Sequence, residues 1–200
     1  MSTKLYAASL ILAPLCYALS SFFWHTTGQY TEYTVTSGTL LIVDSVFWVF
    51  AFAALFDLLK GKAPGYAAWG FFIAVYGCLC GGVGFALRDI FTLAFHIPHK
   101  QMLETFAKYP VFDNIVFWIG GPAFPLSLLV LGIVLTVTKK VSLWVGVLIA
   151  LSGALFPVSR IMRIEMIAHA TDVCMLVPMV YLGRRLITNK LFISNYREKS

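Results

Sequence analysis

Residues 160–185 read RIMRIEMIAHATDVCMLVPMVYLGRR, and this stretch is the most informative part of the sequence. It begins with charged residues, continues as a largely apolar run from Ile164 to Gly183, and ends on two arginines. An apolar run of about 20 residues is long enough to cross the hydrocarbon core of a bilayer as an α-helix. The stretch therefore predicts a membrane helix that carries ionisable residues at one end and positive charge at the other.

The composition of the whole chain indicates the same class of protein. Hydrophobic residues make up 60% of the sequence and charged residues only 12%, whereas soluble domains contain about 25% charged residues. We predict an all-α, polytopic integral membrane protein, a six-transmembrane helix bundle in which residues 1–200 form a single transmembrane domain. The predicted spans are about 5–24, 38–59, 66–87, 113–138, 141–158 and 164–183, followed by a basic tail at 184–200.

The connection between the third and fourth spans is not uniformly polar. Met102, Leu103 and Phe106 recur at helical spacing among charged residues, a pattern typical of a helix that lies on a membrane surface. We therefore predict a short amphipathic outer-surface helix between helices 3 and 4.

The distribution of Lys and Arg predicts the orientation. With both termini inside, the inner side carries ten of the 15 basic residues: Lys4, Lys60, Lys62, Lys139, Lys140, Arg184, Arg185, Lys190, Arg197 and Lys199. The outer side carries Arg88, Lys100, Lys108, Arg160 and Arg163. Basic residues concentrate on the cytoplasmic side of membrane proteins. We expect a multi-pass protein of the cell (plasma or inner) membrane with N-in/C-in topology. The net charge of +6 is therefore explained by orientation in the membrane, and we expect no nucleic-acid partner.

This topology places most ionisable residues near the outer ends of the spans. We predict an outward-facing polar cavity that binds a small solute or a lipid head group, with these ligand-binding residues: Asp44, Arg88, Asp113, Arg160, Arg163, His169 and Asp172. Arg160 and Arg163 fit two roles, binding a phosphate or head group bidentately or extending to the outer interface.

Asp44 is the most unusual of these residues, because it lies about two turns inside a predicted span. An ionised carboxylate in hydrocarbon costs several kcal/mol unless it is paired. Three interpretations fit: an interhelical salt bridge with Arg88 or Arg160, a ligand- or ion-binding role, or a position nearer the interface.

Glu165, His169 and Asp172 are spaced four and three residues apart and so share one helix face. Carboxylate and imidazole groups are ligands for zinc or another divalent metal, and His25, His96 or His99 is available to complete such a site. The alternatives are solvated or ion-paired side chains, or proton transfer by His169 beside Asp172. No other cofactor is predicted.

Three functions are consistent with these patterns. The first is binding or transport of a small solute or lipid head group, helped by broken helices at Gly120-Gly121-Pro122 and Pro178. The second is a structural or accessory subunit whose charges are ion-paired, within a homo-oligomer or a larger membrane complex. The third is an outward-facing metal-dependent hydrolase that acts on lipid.

Overall fold

The computed structural model describes residues 2–27, 30–161 and 164–188. We number its helices α1 (Thr3–Ser21), α2 (Val35–Asp57), α3 (Pro64–Ala94), α4 (His99–Ala107), α5 (Pro110–Val137), α6 (Leu143–Ile161) and α7 (Glu165–Ile187). In the described part of the chain, α1, α2, α3, α5, α6 and α7 are the six helices long and apolar enough to cross a membrane. The multi-pass membrane architecture predicted from the apolar runs is confirmed.

Three details differ from the predicted architecture. The polar segment after α1 forms a short antiparallel hairpin of β1 (Trp24–Thr27) and β2 (Tyr30–Tyr33), which is a local addition to an otherwise helical protein. The third helix continues seven residues beyond residue 87, because Arg88 and Asp89 pair with each other instead of ending the helix. The last helix also continues past residue 183, while most of the predicted basic tail, residues 189–200, lies outside the described residues.

Local sequence explains where the helices begin and end. Thr34 caps α2, since its hydroxyl accepts a hydrogen bond from the Ser37 amide at 3.1 Å. Pro64 occupies the first turn of α3, where a missing N–H costs nothing. Two residues after the ends of α3 and α5 lie His96 and Lys139, whose φ angles are 53° and 56°. In both cases the amide of the following residue donates a hydrogen bond to the carbonyl five residues before it. This is the Schellman arrangement, in which the residue with positive φ is usually glycine.

Two of the spanning helices contain a π-helical segment. In α3 it covers Cys78–Gly84, and in α5 it covers Asn114–Ile119, immediately before Gly120-Gly121-Pro122. Pro122 and Pro125 lack the amide that would bond the carbonyl four residues earlier, which accounts for irregular geometry in this part of α5. The helix nevertheless continues through both prolines, and α7 continues through Pro178. The break predicted in α5 is therefore a local widening of the helix. The break predicted at Pro178 is absent, because α7 is continuous there.

Helix α3 packs closely against α5 through a glycine. Gly77 faces the backbone of Ala123 and Phe124 on α5 with no space for a side chain. Away from this contact, α3 exposes Trp69, Phe72 and Ile73. Close backbone approach on one side and large apolar side chains on the other are expected of a helix between protein and lipid.

Side-chain contacts define the two ends of the bundle. At one end Tyr6 Oη donates to Asp57 Oδ2 at 3.1 Å, beside the lysine-containing turns at 58–63 and 138–142. We call this the lysine end. At the other, Ser37 Oγ donates to the Ser20 carbonyl at 2.8 Å, and Ser21 Oγ donates to Asp172 Oδ2 at 2.7 Å. We call this the cavity end, because the cavity described below lies towards it.

Candidate functional site: a cavity inside the bundle

A cavity of about 450 Å³ lies towards the cavity end, between α1, α2, α3, α5 and α6. Its walls are mainly aromatic and aliphatic, with few polar groups, which is the usual make-up of a small-molecule site. Leu103 of α4 and Trp118 of α5 also line it, and both are largely exposed. The cavity therefore reaches the surface of the bundle beside the amphipathic helix, which the structure confirms at residues 99–107.

Four of the seven predicted ligand-binding residues line this cavity: Asp44, Arg88, Asp113 and Arg160. Asp172 and His169 do not line it, and Arg163 lies outside the described residues. The structure therefore brings together side chains from four different helices that sequence reasoning had only assigned to the same side of the membrane.

Arg160 is the centre of a buried polar network. Its Nε donates to Tyr17 Oη at 2.8 Å, its Nη1 donates to Ser21 Oγ at 3.0 Å, and its Nη2 donates to Asp172 Oδ1 at 2.5 Å. The Ser21 hydroxyl in turn donates to the other Asp172 oxygen. The Arg160 side chain is only 8% exposed. Arg160 is thus an interior residue joining α1, α6 and α7, and does not extend to the interface.

Arg88 is held in a similar way on α3. Its Nε and Nη2 both donate to Asp89 Oδ1, at 2.8 and 2.7 Å. The guanidinium also lies 4.7 Å from the centroid of the Phe85 ring and 5.6 Å from that of Phe117, within the range of a cation–π contact. The positive charge of Arg88 therefore already has a carboxylate and two aromatic partners.

Asp44 lacks such a partner, so of the three interpretations the salt bridge to Arg88 or Arg160 is wrong. The side chain is 1% exposed, and Oδ2 has no hydrogen-bond partner. Oδ1 receives one long bond from Ser45 Oγ at 3.4 Å, but that hydroxyl makes its shorter bond, 2.7 Å, with the Leu41 carbonyl. Among the described residues no basic side chain pairs with Asp44, because each nearby arginine is bound to a different aspartate.

Asp113 lies in the first turn of α5 and is half-buried. Its Oδ2 accepts a hydrogen bond from Trp118 Nε1 at 3.2 Å. Together with Asp44 it makes the acidic part of the cavity wall. Among the described residues, four aspartates thus lie in or directly behind the wall, together with two arginines: Asp44, Asp89, Asp113 and Asp172 with Arg88 and Arg160.

The structure does not bring Glu165, His169 and Asp172 together as metal ligands. Asp172 uses both oxygens on Ser21 and Arg160, and the His169 ring stacks on Phe22 with centroids 4.4 Å apart. Glu165 is exposed at the start of α7. Within the described ranges no set of three or more His, Cys, Asp or Glu side chains is placed to hold a metal ion. The histidine that shares a helix face with Asp172 contacts a phenylalanine instead.

Sequence reasoning missed the aromatic part of the wall. Trp48 is 1% exposed and packs edge-on against Phe124, with 5.2 Å between the ring centroids. Phe124 packs against Phe156 at 5.2 Å, and Phe156 packs against Tyr17 at 5.4 Å. The available signal was position, because Trp48 lies one turn after Asp44 on the same face of α2.

No protein-family model, curated protein or solved structure matches the chain.

Proposed function

We propose that this multi-pass membrane protein binds a small solute in the cavity between α1, α2, α3, α5 and α6, as a binding protein or as the binding step of a transporter. In this proposal both termini are cytoplasmic, so that the lysine end faces the cytoplasm of the plasma or inner membrane and the cavity opens on the outer side. The excess of basic residues at the lysine end supports this orientation.

One observation carries the proposal: the Asp44 carboxylate lies in the wall of a 450 Å³ cavity, almost fully buried, with one oxygen that has no partner. A buried, unsatisfied charged group costs several kcal/mol. Native structures retain such groups chiefly where they perform a function. A bound molecule that donates a hydrogen bond or positive charge to Asp44 would remove that cost.

The helix geometry around the cavity is also suited to binding. Both π-helical segments contribute to its wall, through Gly81 and Gly82 of α3 and through Phe117 and Trp118 of α5. Such segments occur frequently at functional sites, because the widened turn moves side chains away from the regular helix surface. Neither the accessory-subunit function nor the metal-hydrolase function is supported by a comparable contact.

The proposal is tested by thermal unfolding of the protein in dodecyl maltoside, with a panel of small soluble amines, carboxylates, phosphates and sugars. A solute present at a hundredfold excess over its Kd contributes about 2.7 kcal/mol. For a chain of this size we expect a rise in Tm of about 5–10 °C. The rise should be saturable and specific to one chemical class.

A matched pair of variants places the binding in the cavity. Leu103→Trp enlarges an exposed side chain at the cavity opening and should abolish the shift, whereas Leu126→Trp enlarges an equally exposed side chain that does not line the cavity and should retain it. A panel that never raises Tm, or a shift of equal size in both variants, would refute binding in this cavity.

A further inference from the structure

The cavity wall also indicates which class of molecule fits it, and this inference rests on the proposed binding function. The relevant features are the arrangement of the aromatic rings, the balance of charge, and two polar atoms without partners. Each restricts the ligand in a different way.

The aromatic rings form a continuous surface on one side of the cavity. Tyr17, Trp48, Phe124 and Phe156 all line it, and each packs against at least one other member at a centroid distance of 6.3 Å or less. The faces of aromatic rings carry partial negative charge and attract cations within about 6 Å. Arg160 already demonstrates this property, since its guanidinium lies 4.5 Å from the Tyr17 centroid and 5.6 Å from that of Phe156.

The charge balance disfavours an anion. An anionic ligand would need a free guanidinium, but Arg88 is bound to Asp89 and Arg160 donates with Nε, Nη1 and Nη2 to Tyr17, Ser21 and Asp172. Recruiting either arginine would break a buried ion pair, and breaking such a pair costs about 3–5 kcal/mol. No comparable cost opposes a cation, because Asp44 has no positive partner among the described residues.

Two unpaired atoms define where the ligand's polar groups would lie. Asp44 Oδ2 is an acceptor without a donor, and Trp48 Nε1 is a donor without an acceptor. The two residues are four apart on α2 and therefore share a helix face. A molecule that places a positive nitrogen beside Asp44 and a hydroxyl or ether oxygen beside Trp48 would satisfy both.

We infer that the cavity binds a small organic cation, a substituted ammonium group that carries apolar substituents and a nearby oxygen. Asp44 is its counter-ion, and the rings of Tyr17, Trp48, Phe124 and Phe156 enclose its apolar part. Ammonium groups of this kind occur both in free amino alcohols and in zwitterionic lipid head groups. The recognition chemistry is the same for the two sources.

The experiment uses three probes of nearly identical size. Choline is the cation, 3,3-dimethylbutan-1-ol is its uncharged carbon analogue, and 3,3-dimethylbutanoate is an anion of similar shape. Binding is measured by calorimetric titration of the full chain in dodecyl maltoside, whose head group is an uncharged sugar. We expect choline to bind at least tenfold more tightly than either other probe.

Two substitutions assign the preference to Asp44. Asp44→Asn keeps the shape and removes the charge; it should weaken choline binding at least tenfold and change binding of the neutral alcohol less than twofold. Asp57→Asn removes an acidic charge at the lysine end, outside the cavity, and should leave all affinities unchanged. If Asp44→Asn does not fold, the comparison of the three probes on the unmodified protein still decides the inference.

A competition arm separates the two sources. Displacement of choline by dihexanoylphosphatidylcholine, but not by dihexanoylphosphatidylglycerol, would identify a lipid head group. Choline binding that neither lipid affects would identify a free amine. Equal or tighter binding of the alcohol or the carboxylate would overturn the cationic specificity while leaving a solute-binding cavity in place. Failure of every probe, together with no shift across the solute panel, would overturn both proposals.

Discussion

Arg160 Nη2 lies 2.5 Å from Asp172 Oδ1, and this ion pair joins the end of α6 to the first half of α7. The two side chains are 8% and 3% exposed. A buried pair of this kind is costly to disturb on one side only, because the remaining charge keeps its desolvation cost without its partner. The pair is therefore the first place at which the packing of the cavity end can be tested.

Removing one member of the pair should destabilise the protein more than removing both. We expect Arg160→Met or Asp172→Leu alone to lower the free energy of unfolding by about 3–5 kcal/mol, and the double variant to recover most of that loss. Thermal unfolding in dodecyl maltoside measures the difference. The control is Asp57→Asn, whose exposed pair with Lys60 spans 2.6 Å and raises the pKa of the lysine; its loss should cost at most about 1 kcal/mol. A double variant no better than the single ones would contradict this view.

The contact between α5 and α6 depends on residues without side chains. A Cβ on Gly153 would lie 2.5 Å from the Leu129 amide nitrogen and 2.6 Å from the Pro125 carbonyl oxygen, neither of which can move independently of α5. We therefore expect Gly153→Ala to cost about 1–3 kcal/mol, measured as a lower Tm. Gly65→Ala is the control, since nothing lies within 4 Å of that position. Equal Tm values for the two variants would show that the helices separate easily.

The proposed orientation predicts which loops a membrane-impermeant maleimide reaches in intact cells. In a variant whose four native cysteines are replaced, Lys100→Cys should be labelled without permeabilisation, because it is exposed at the cavity end. Gly61→Cys, in the turn between α2 and α3 at the lysine end, should be labelled only after permeabilisation. The reverse pattern would place the cavity opening on the cytoplasmic side.

Elemental analysis can test whether the protein holds a metal ion at Glu165, His169 and Asp172. His169 contacts the Phe22 ring, and Asp172 is bound to Arg160. We therefore expect less than one equivalent of zinc, manganese or iron in purified protein, with the same content after His169→Ala and a loss of stability below about 1 kcal/mol. Near-stoichiometric metal that disappears in His169→Ala would revive the hydrolase function.

The six spans were predictable because a run of apolar residues long enough to cross a bilayer has few other structures available to it. The exceptions involve polar residues whose partners are distant in sequence. Arg88 and Asp89 looked like a helix end, yet a pair that neutralises itself can remain inside a continuing helix. The Thr-rich segment after α1 gave no sign of a hairpin, since its strands are only four residues long.

The candidate site was predictable only in part. Seven ionisable residues were grouped at one end of the spans, and four of them line one cavity. The pairing of these charges was not predictable. Arg160 pairs with Asp172 and not with Asp44, within a hydrogen-bond network that includes Tyr17 and Ser21. Two residues 12 positions apart on separate helices leave no local pattern that identifies them as partners.

The π-helical segment of α3 has a consequence for the phase of that helix. Each added residue turns an α-helix by about 100°, so a widened turn rotates everything beyond it relative to everything before it. Before the segment the buried positions follow the helical period, at Ala67, Gly70, Ala74 and Gly77. After it they are Ala86, Asp89 and Thr92, and the first two fall one residue later than that period predicts. An unbroken helix would have turned Arg88 inward at the position now held by Asp89. The extra residue thus exchanges which sign of charge is buried most deeply on α3.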